Sequence, residues 1–476
     1  MTAGPALPGP GEEELHAALL EAAEWVSTYL RTVGERPVLA QVAPGDLLAA
    51  LPEHPPAEGE PLDAIMADVD RLILPGITHW NHPSFFAYFG ITGSGPGIVG
   101  ELICAALNIN AMLWRTSPAA TELEERTLAW VGELIGLPDS WFGQITDTAS
   151  SSTLWALAAA REAAGLDIRS RGMAGRADLP PLRVYTSAEA HSSVEKACIA
   201  LGLGQQGLRK VEVDDQFRMR PDALAAAVEA DVAAGVRPIA VVPTVGTTST
   251  TSVDPVGAVA EIAARHGIWV HVDAAYGGAA GLLPSHRHLL DGCERADSLV
   301  FNPHKWLLTP VDCSLLYTSR PEVLRQAFSV VPFYLTSGDG DVTNLMDYGL
   351  ALGRRFRALK LWFVLRAYGA DGLAGIVAGH IAMARELAGW IEAAEGWELL
   401  APVPLSTVCF RRRPPGVDDE AELDRINADL VERVNASGTA FISHTQVAGR
   451  YAARMAIGNV ASRPEHVRRA WEALNG

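Results

Sequence analysis

Across residues 78–368 the chain alternates Ala-rich stretches of helical character with short runs of β-branched and other apolar residues. The helical stretches include 153–164 and 255–266, and the strand-like runs include 182–186, 238–243, 268–272 and 298–301. Strands separated by helix-length segments predict an α/β fold built on a mainly parallel sheet. In such sheets ligands gather beyond the carboxyl ends of the strands. Attention therefore falls on Asp273, just past the run 268–272, and on residues 302–305, just past 298–301.

The flanks differ from this middle. Residues 12–33 carry Leu15, Leu19, Ala22, Trp25, Val26, Tyr29 and Leu30 at helical spacing, then a Pro-rich passage and a second helical stretch near 62–72. Two short helices make a weak core, so 1–77 is expected to be a helical arm that packs on another subunit. After a large domain at 78–378, residues 379–476 mix helices with the strand-like runs 406–411, 440–446 and 450–457, as a small α/β domain would.

Composition narrows the function classes. Lys plus Arg is 38 against 56 for Asp plus Glu, a net charge of −18, and no basic block is present. Nucleic-acid and anionic-lipid partners are not expected. The apolar stretches near the front are broken by Gly, Pro and Ser, and membrane insertion is not expected. The five cysteines are scattered and form no CxxC, so neither a disulfide framework nor a zinc site is expected; a reducing cytoplasm fits. There is no GxxxxGK[ST] and no HExxH, and the Gly-rich piece 90–97 is a weak dinucleotide fingerprint. Lysine occurs only at positions 196, 210, 305 and 360, which limits any chemistry that needs a primary amine.

Four features carry chemical potential. Thr148-Ala-Ser-Ser-Ser-Thr153 opens a helix, where small hydroxyl residues either cap it or leave an anion site at its positive end. His191 follows the run 182–186, as a structural residue or as an aromatic face for a flat heterocycle. Asp273 closes a buried apolar run, as a satisfied core carboxylate, a cap, or a fixed anion for a cationic ligand. Lys305 sits between a strand and apolar residues, where desolvation would make its amine more nucleophilic, or it snorkels to the surface. Asp273 and Lys305 are spaced by about one βαβ unit of ~30 residues, so they would project from neighbouring strand ends. A stacked ring, a carboxylate for a ring cation, an amine for an aldehyde and a helix N-terminus for a phosphate together suggest pyridoxal 5'-phosphate.

Here the sequence resembles the group II pyridoxal-phosphate decarboxylases, and among them the aromatic-L-amino-acid decarboxylases. The resemblance is carried by Trp80-Asn-His-Pro-Ser-Phe-Phe-Ala-Tyr-Phe89, Thr116-Ser-Pro-Ala-Ala-Thr-Glu-Leu-Glu124, Ala190-His-Ser-Ser-Val194, Gly246-Thr-Thr248, His271-Val-Asp-Ala-Ala-Tyr276, Asn302-Pro-His-Lys-Trp306 and Leu352-Gly-Arg-Arg-Phe-Arg357. It implies a fold type I pyridoxal-phosphate enzyme in which Lys305 bonds the cofactor, Asp273 pairs with its ring nitrogen, His191 stacks on the ring and Ala275 lies against it. It further implies that Ala149, Ser150, Asn302 and His304 surround the phosphate, that Thr248 lies near the reacting carboxylate, and that Asp254 stands behind this group. Tyr334 matches the tyrosine of the family's catalytic loop and is the expected proton donor to Cα, with a reference pKa near ~10. The expected substrate wall is Trp80, Tyr88, Phe89, Asn110 and Met112. The implied activity is decarboxylation of an aromatic L-amino acid by a homodimer with interfacial active sites and no metal. The alternatives are decarboxylation of glutamate, histidine or a cysteine derivative, aldehyde synthesis, another pyridoxal-phosphate reaction such as amino transfer or desulfuration, and a scaffold that has lost its chemistry.

Overall fold

The computed structural model describes residues 9–330 and 342–476. Its centre is a seven-stranded sheet ordered β1-β7-β6-β5-β4-β2-β3. The strands are β1 (Phe142–Thr146), β2 (Leu182–Ser187), β3 (Leu208–Val211), β4 (Arg237–Val242), β5 (Trp269–Asp273), β6 (Ser298–Phe301) and β7 (Ser314–Thr318). β3, β2, β4, β5 and β6 run parallel, as the alternating pattern predicts. β7 departs from it, pairing antiparallel with both β6 and β1. The connection from β6 to β7, residues 302–313, holds only a one-turn helix, Pro303–Trp306, and no crossover helix of the kind that joins parallel strands. Every residue of β5 and β6 is buried, the signature of a sheet covered on both faces.

A second sheet, ordered β10-β11-β9-β8, is antiparallel throughout. It comprises β8 (Trp397–Leu399), β9 (Thr407–Arg412), β10 (Ser443–Val447) and β11 (Arg450–Ala456). The helix Arg357–Ala393 joins the two sheets and runs through the boundary expected at 378/379, with a non-helical break at Gly369. This helix is long and apolar enough to cross a membrane. Its buried side chains are shared between two cores: Leu361, Val364 and Leu373 enter the large one, and Met383, Leu387 and Ile391 the small one. At the front, the helices Glu12–Thr32 and Leu62–Asp68 contribute no buried residue of their own.

Candidate active site

A cavity of about 390 Å³ opens beyond the carboxyl ends of the central strands. Lys305 projects into it from the helix Pro303–Trp306, which begins as soon as β6 ends because Pro303 cannot extend the strand ladder. The Lys305 Nζ lies 5.3 Å from the centre of the Phe89 ring. Burial pushes its amine below the ordinary lysine value; the negative charge of Asp273 opposes that shift and the positive charge of Arg454 adds to it. A lowered pKa leaves more free amine, the nucleophilic form.

Asp273 is the last residue of β5, whose register sets it beside Val300 of β6. It is buried, and its Oδ1 accepts the backbone N–H of Ala275 at 3.1 Å. Asp273 and Lys305 form no ion pair with each other among the described residues, although both line one cavity. An anion and an amine held apart across a slot suit a flat ring with a basic nitrogen at one end and an aldehyde at the other.

His191 lines the same slot. Its Nδ1 accepts the N–H of Ser193 at 3.1 Å, so the neutral ring carries its proton on Nε2. Desolvation lowers its pKa, with Asp273 opposing and Lys305 reinforcing. His304 is fixed in the same tautomer: Nδ1 accepts the N–H of Cys313 at 2.9 Å, and burial pulls the pKa to about 3. Asn302 accepts the Ser314 hydroxyl on Oδ1 at 2.7 Å, which leaves its amide N–H groups for the cavity.

Thr148 occupies the N-cap of the helix Ala149–Ala163, but its side chain makes no capping hydrogen bond. Plain capping therefore does not account for this segment. The free amides of the first turn, with Ala149 and Ser150 lining the cavity, form an anion site at the helix's positive end. These first-turn donors fit a phosphate, and the Asp273–Lys305 slot fits a pyridine aldehyde. At the Asp273 end, Thr244 adds a buried hydroxyl with no partner among the described residues. Gly246 lets the backbone close over this end: its φ is +91°, and a Cβ there would come within 3.1 Å of the Gly277 nitrogen. Asp254 stands behind, accepting the N–H groups of Thr244 at 2.8 Å and Met219 at 2.6 Å, with burial raising its pKa to about 7.

Most of the residues expected from the sequence converge here: Lys305, Asp273, His191, Ala149, Ser150, Thr248, Ala275, Asn302, His304, Tyr88 and Phe89 all line the cavity. Trp80, Asn110 and Met112 do not. Trp80 packs on Phe85 and Tyr88, with ring centres 4.4 and 5.9 Å away. Asn110 is clamped to the large domain, its Oδ1 accepting the N–H of Arg354 at 2.9 Å. Arg354 is in turn locked by a buried ion pair of 2.6 Å to Glu124. Tyr334 lies outside the described residues.

Sequence reasoning missed the wall contributed by the small sheet: Ser443, His444, Thr445 and Arg454. Arg454 had a legible signal, since a cation inside the apolar run Arg450–Ala456 demands a partner.

Comparison with known proteins agrees with this geometry. Residues 44–413 match the family model described as the pyridoxal-dependent decarboxylase conserved domain. Tyrosine decarboxylase 4 of Petroselinum crispum is 40% identical, over 95% of this chain and 90% of the relative. Phenylacetaldehyde synthase of Arabidopsis thaliana is also 40% identical, over 95% and 93%. The crystal structure of Oryza sativa TDC with PLP and tryptamine superposes with a TM-score of 0.94 at 38% identity, covering 99% of this chain and 98% of the other.

Proposed function

The chain belongs to the pyridoxal-dependent decarboxylase family, and we propose that it converts an aromatic L-amino acid to the corresponding amine and CO2. The observation that carries this reading is the pairing of a desolvated Lys305 amine with a fixed Asp273 carboxylate on adjacent strand ends, in one cavity with unsatisfied phosphate donors. The aromatic preference is supported by Tyr88, Phe89 and Tyr276 in the cavity wall and by the substrates and ligands named for the relatives.

Pyridoxal phosphate, when bound, supplies an electron sink for the pair left on the α-carbon once CO2 departs. The protein's own contributions follow from the geometry. Lys305 would bond the aldehyde carbon. Asp273, steadied by the Ala275 N–H, would keep a proton on the ring nitrogen through a charge-assisted hydrogen bond. His191 would cover the ring face and present an Nε2 proton. The first-turn amides, Asn302 and His304 would hold the phosphate, with His304 neutral at any physiological pH.

The test is to incubate the purified holoenzyme with the proteinogenic amino acids and hydroxylated aromatics, and to assay amine, CO2 and aldehyde by mass spectrometry. Tyramine-like or tryptamine-like amines with equimolar CO2 are expected. Amines only from glutamate, histidine or a cysteine derivative would overturn the substrate class. Aldehyde with ammonia and peroxide as the main products would place the protein with the aldehyde synthases, a second reading favoured by the 40% identity to one of them.

We also propose that it works as a homodimer. The helix Gly95–Leu107 leaves Val99, Leu102, Ile103 and Leu107 between 42% and 53% exposed, and the arm helix exposes Leu15, Leu19 and Leu20. Apolar faces of this kind are ordinarily covered. The loop bearing Asn110 and Met112 follows that helix directly, so pairing across it would offer these residues to the partner's cavity. Light scattering combined with an activity dilution series is expected to show a dimer that loses activity on dissociation. A fully active monomer would refute the arrangement.

A further inference from the structure

His271 is a polar residue in the middle of β5, between Val270 and Val272, and it is fully buried. Alternation along the strand puts Trp269, His271 and Asp273 on one face. The imidazole therefore sits one step below the carboxylate that lines the cavity. The register with β6 sets His271 beside Ser298. Trp269 Nε1 donates to the Ser298 hydroxyl oxygen at 2.9 Å, and His271 Nδ1 lies 2.9 Å from that same oxygen. An indole can only donate, so the Ser298 hydroxyl accepts from Trp269 and gives its own proton to Nδ1. The proton of the neutral ring is then on Nε2, and burial holds the ring neutral with a pKa of about 4.

That Nε2 is buried and has no partner among the described residues. An unspent buried donor is costly, and the tie to Ser298 does not require one, because a shorter side chain with a single acceptor would make it. The charge that bears on the ring is that of Asp273, which opposes the effect of burial. Asp273 is itself incompletely bonded. Its Oδ1 holds the Ala275 N–H at 3.1 Å, while its Oδ2 makes no hydrogen bond among the described residues. On the β4 side, a bridge sets Thr244 next to Asp273 with a second unspent hydroxyl. Unspent donors thus collect around one carboxylate.

We propose that His271 is the positioning residue of Asp273, its Nε2–H kept for the carboxylate's free oxygen and spent there when Asp273 engages the cofactor's ring nitrogen. The inference rests on the pyridoxal-phosphate reading of the cavity and deepens it. A carboxylate oxygen accepts two hydrogen bonds, so a donor from below the strand end does not compete with the ring N–H from the cavity. Donation to the charged form favours the ionised carboxylate, and the ionised carboxylate is what keeps the ring nitrogen protonated. His271 touches neither cofactor nor substrate; its effect passes entirely through Asp273.

The experiment reconstitutes the full-length apoenzyme with pyridoxal phosphate and with its 1-deaza analogue, which has carbon in place of the ring nitrogen. Dissociation constants would be read from quenching of tryptophan fluorescence. Aldehyde and phosphate are common to both probes, so the ratio of the two constants isolates the contact between Asp273 and the ring nitrogen. In His271→Gln the amide nitrogen reaches where Nε2 does; in His271→Asn it reaches only as far as Nδ1. The wild type is expected to prefer pyridoxal phosphate by at least about tenfold. His271→Gln should keep that preference within about twofold, and His271→Asn should lower it about 3- to 10-fold. Added to Asp273→Asn, the His271→Asn change should shift the ratio no further, because the two residues act as one unit. A His271→Asn ratio equal to wild type would overturn the proposal, as would losses that add in the double variant. Gln and Asn losing the preference together, or both failing to fold, would make His271 a structural tie between β5 and β6. A wild type that binds both probes equally would overturn the Asp273 reading itself, and the proposal with it.

Discussion

Lys305→Ala is expected to lower amine formation by at least about 10³-fold, the scale on which removal of a covalent nucleophile acts. No other lysine can substitute. Lys360 is buried with its Nζ 2.9 Å from Glu101, Lys210 lies 3.5 Å from Glu195, and neither these nor Lys196 lines the cavity. The phosphate donors are untouched, so the variant should still take up the cofactor without bonding it covalently. Borohydride reduction of the wild type followed by peptide mapping is expected to place the label on Lys305. Label on any of the other three lysines, or a variant within tenfold of wild-type rate, would remove Lys305 from its role.

Asp273→Asn is expected to cost about 10²–10³-fold in kcat, comparable to loss of one preorganised electrostatic partner. Asn keeps an oxygen for the Ala275 N–H, so the loop after β5 should hold its shape and the loss should be one of charge. Without the anion, the ring nitrogen of the cofactor no longer keeps its proton and the sink is weakened. A cofactor analogue methylated on that nitrogen carries a permanent positive charge. It should restore part of the activity of the variant while doing little for the wild type. A variant with near-normal kcat, or one the analogue does not help, would mean that Asp273 acts only as a structural acceptor.

The parts of the molecule that sequence made legible share a physical basis. The run 298–301 and strand β6 coincide, and β5 differs from its expected run by a single residue at each end, which moves Asp273 from the loop into the strand itself. Strands buried on both faces are continuous apolar runs, so a polar residue at their ends stands out. Lys305, Asp273 and His191 were readable for that reason. The antiparallel turn of β7 was not, because its apolar run is indistinguishable from a parallel one; only the short connection from β6 distinguishes them. The boundary expected at 378 was drawn inside one helix, whose apolar periodicity continues from one core into the other. Arg454 carried one local signal, a cation inside a buried strand, but which site it and His444 reach was not legible, because what brings them to the cavity is packing between segments hundreds of positions apart.

The small sheet's share in the wall also has a consequence for biosynthesis. Arg454 reaches Tyr88 across 366 positions, and Ser443 holds the Tyr88 N–H at 3.2 Å. During translation Lys305, Asp273 and the phosphate donors emerge well before the strand that closes the pocket over them. The large sheet can condense co-translationally, since domains commonly fold as they leave the ribosome. Because Ser443, His444, Thr445 and Arg454 form part of the wall around Lys305, the pocket is complete only once the last strands to be made have docked.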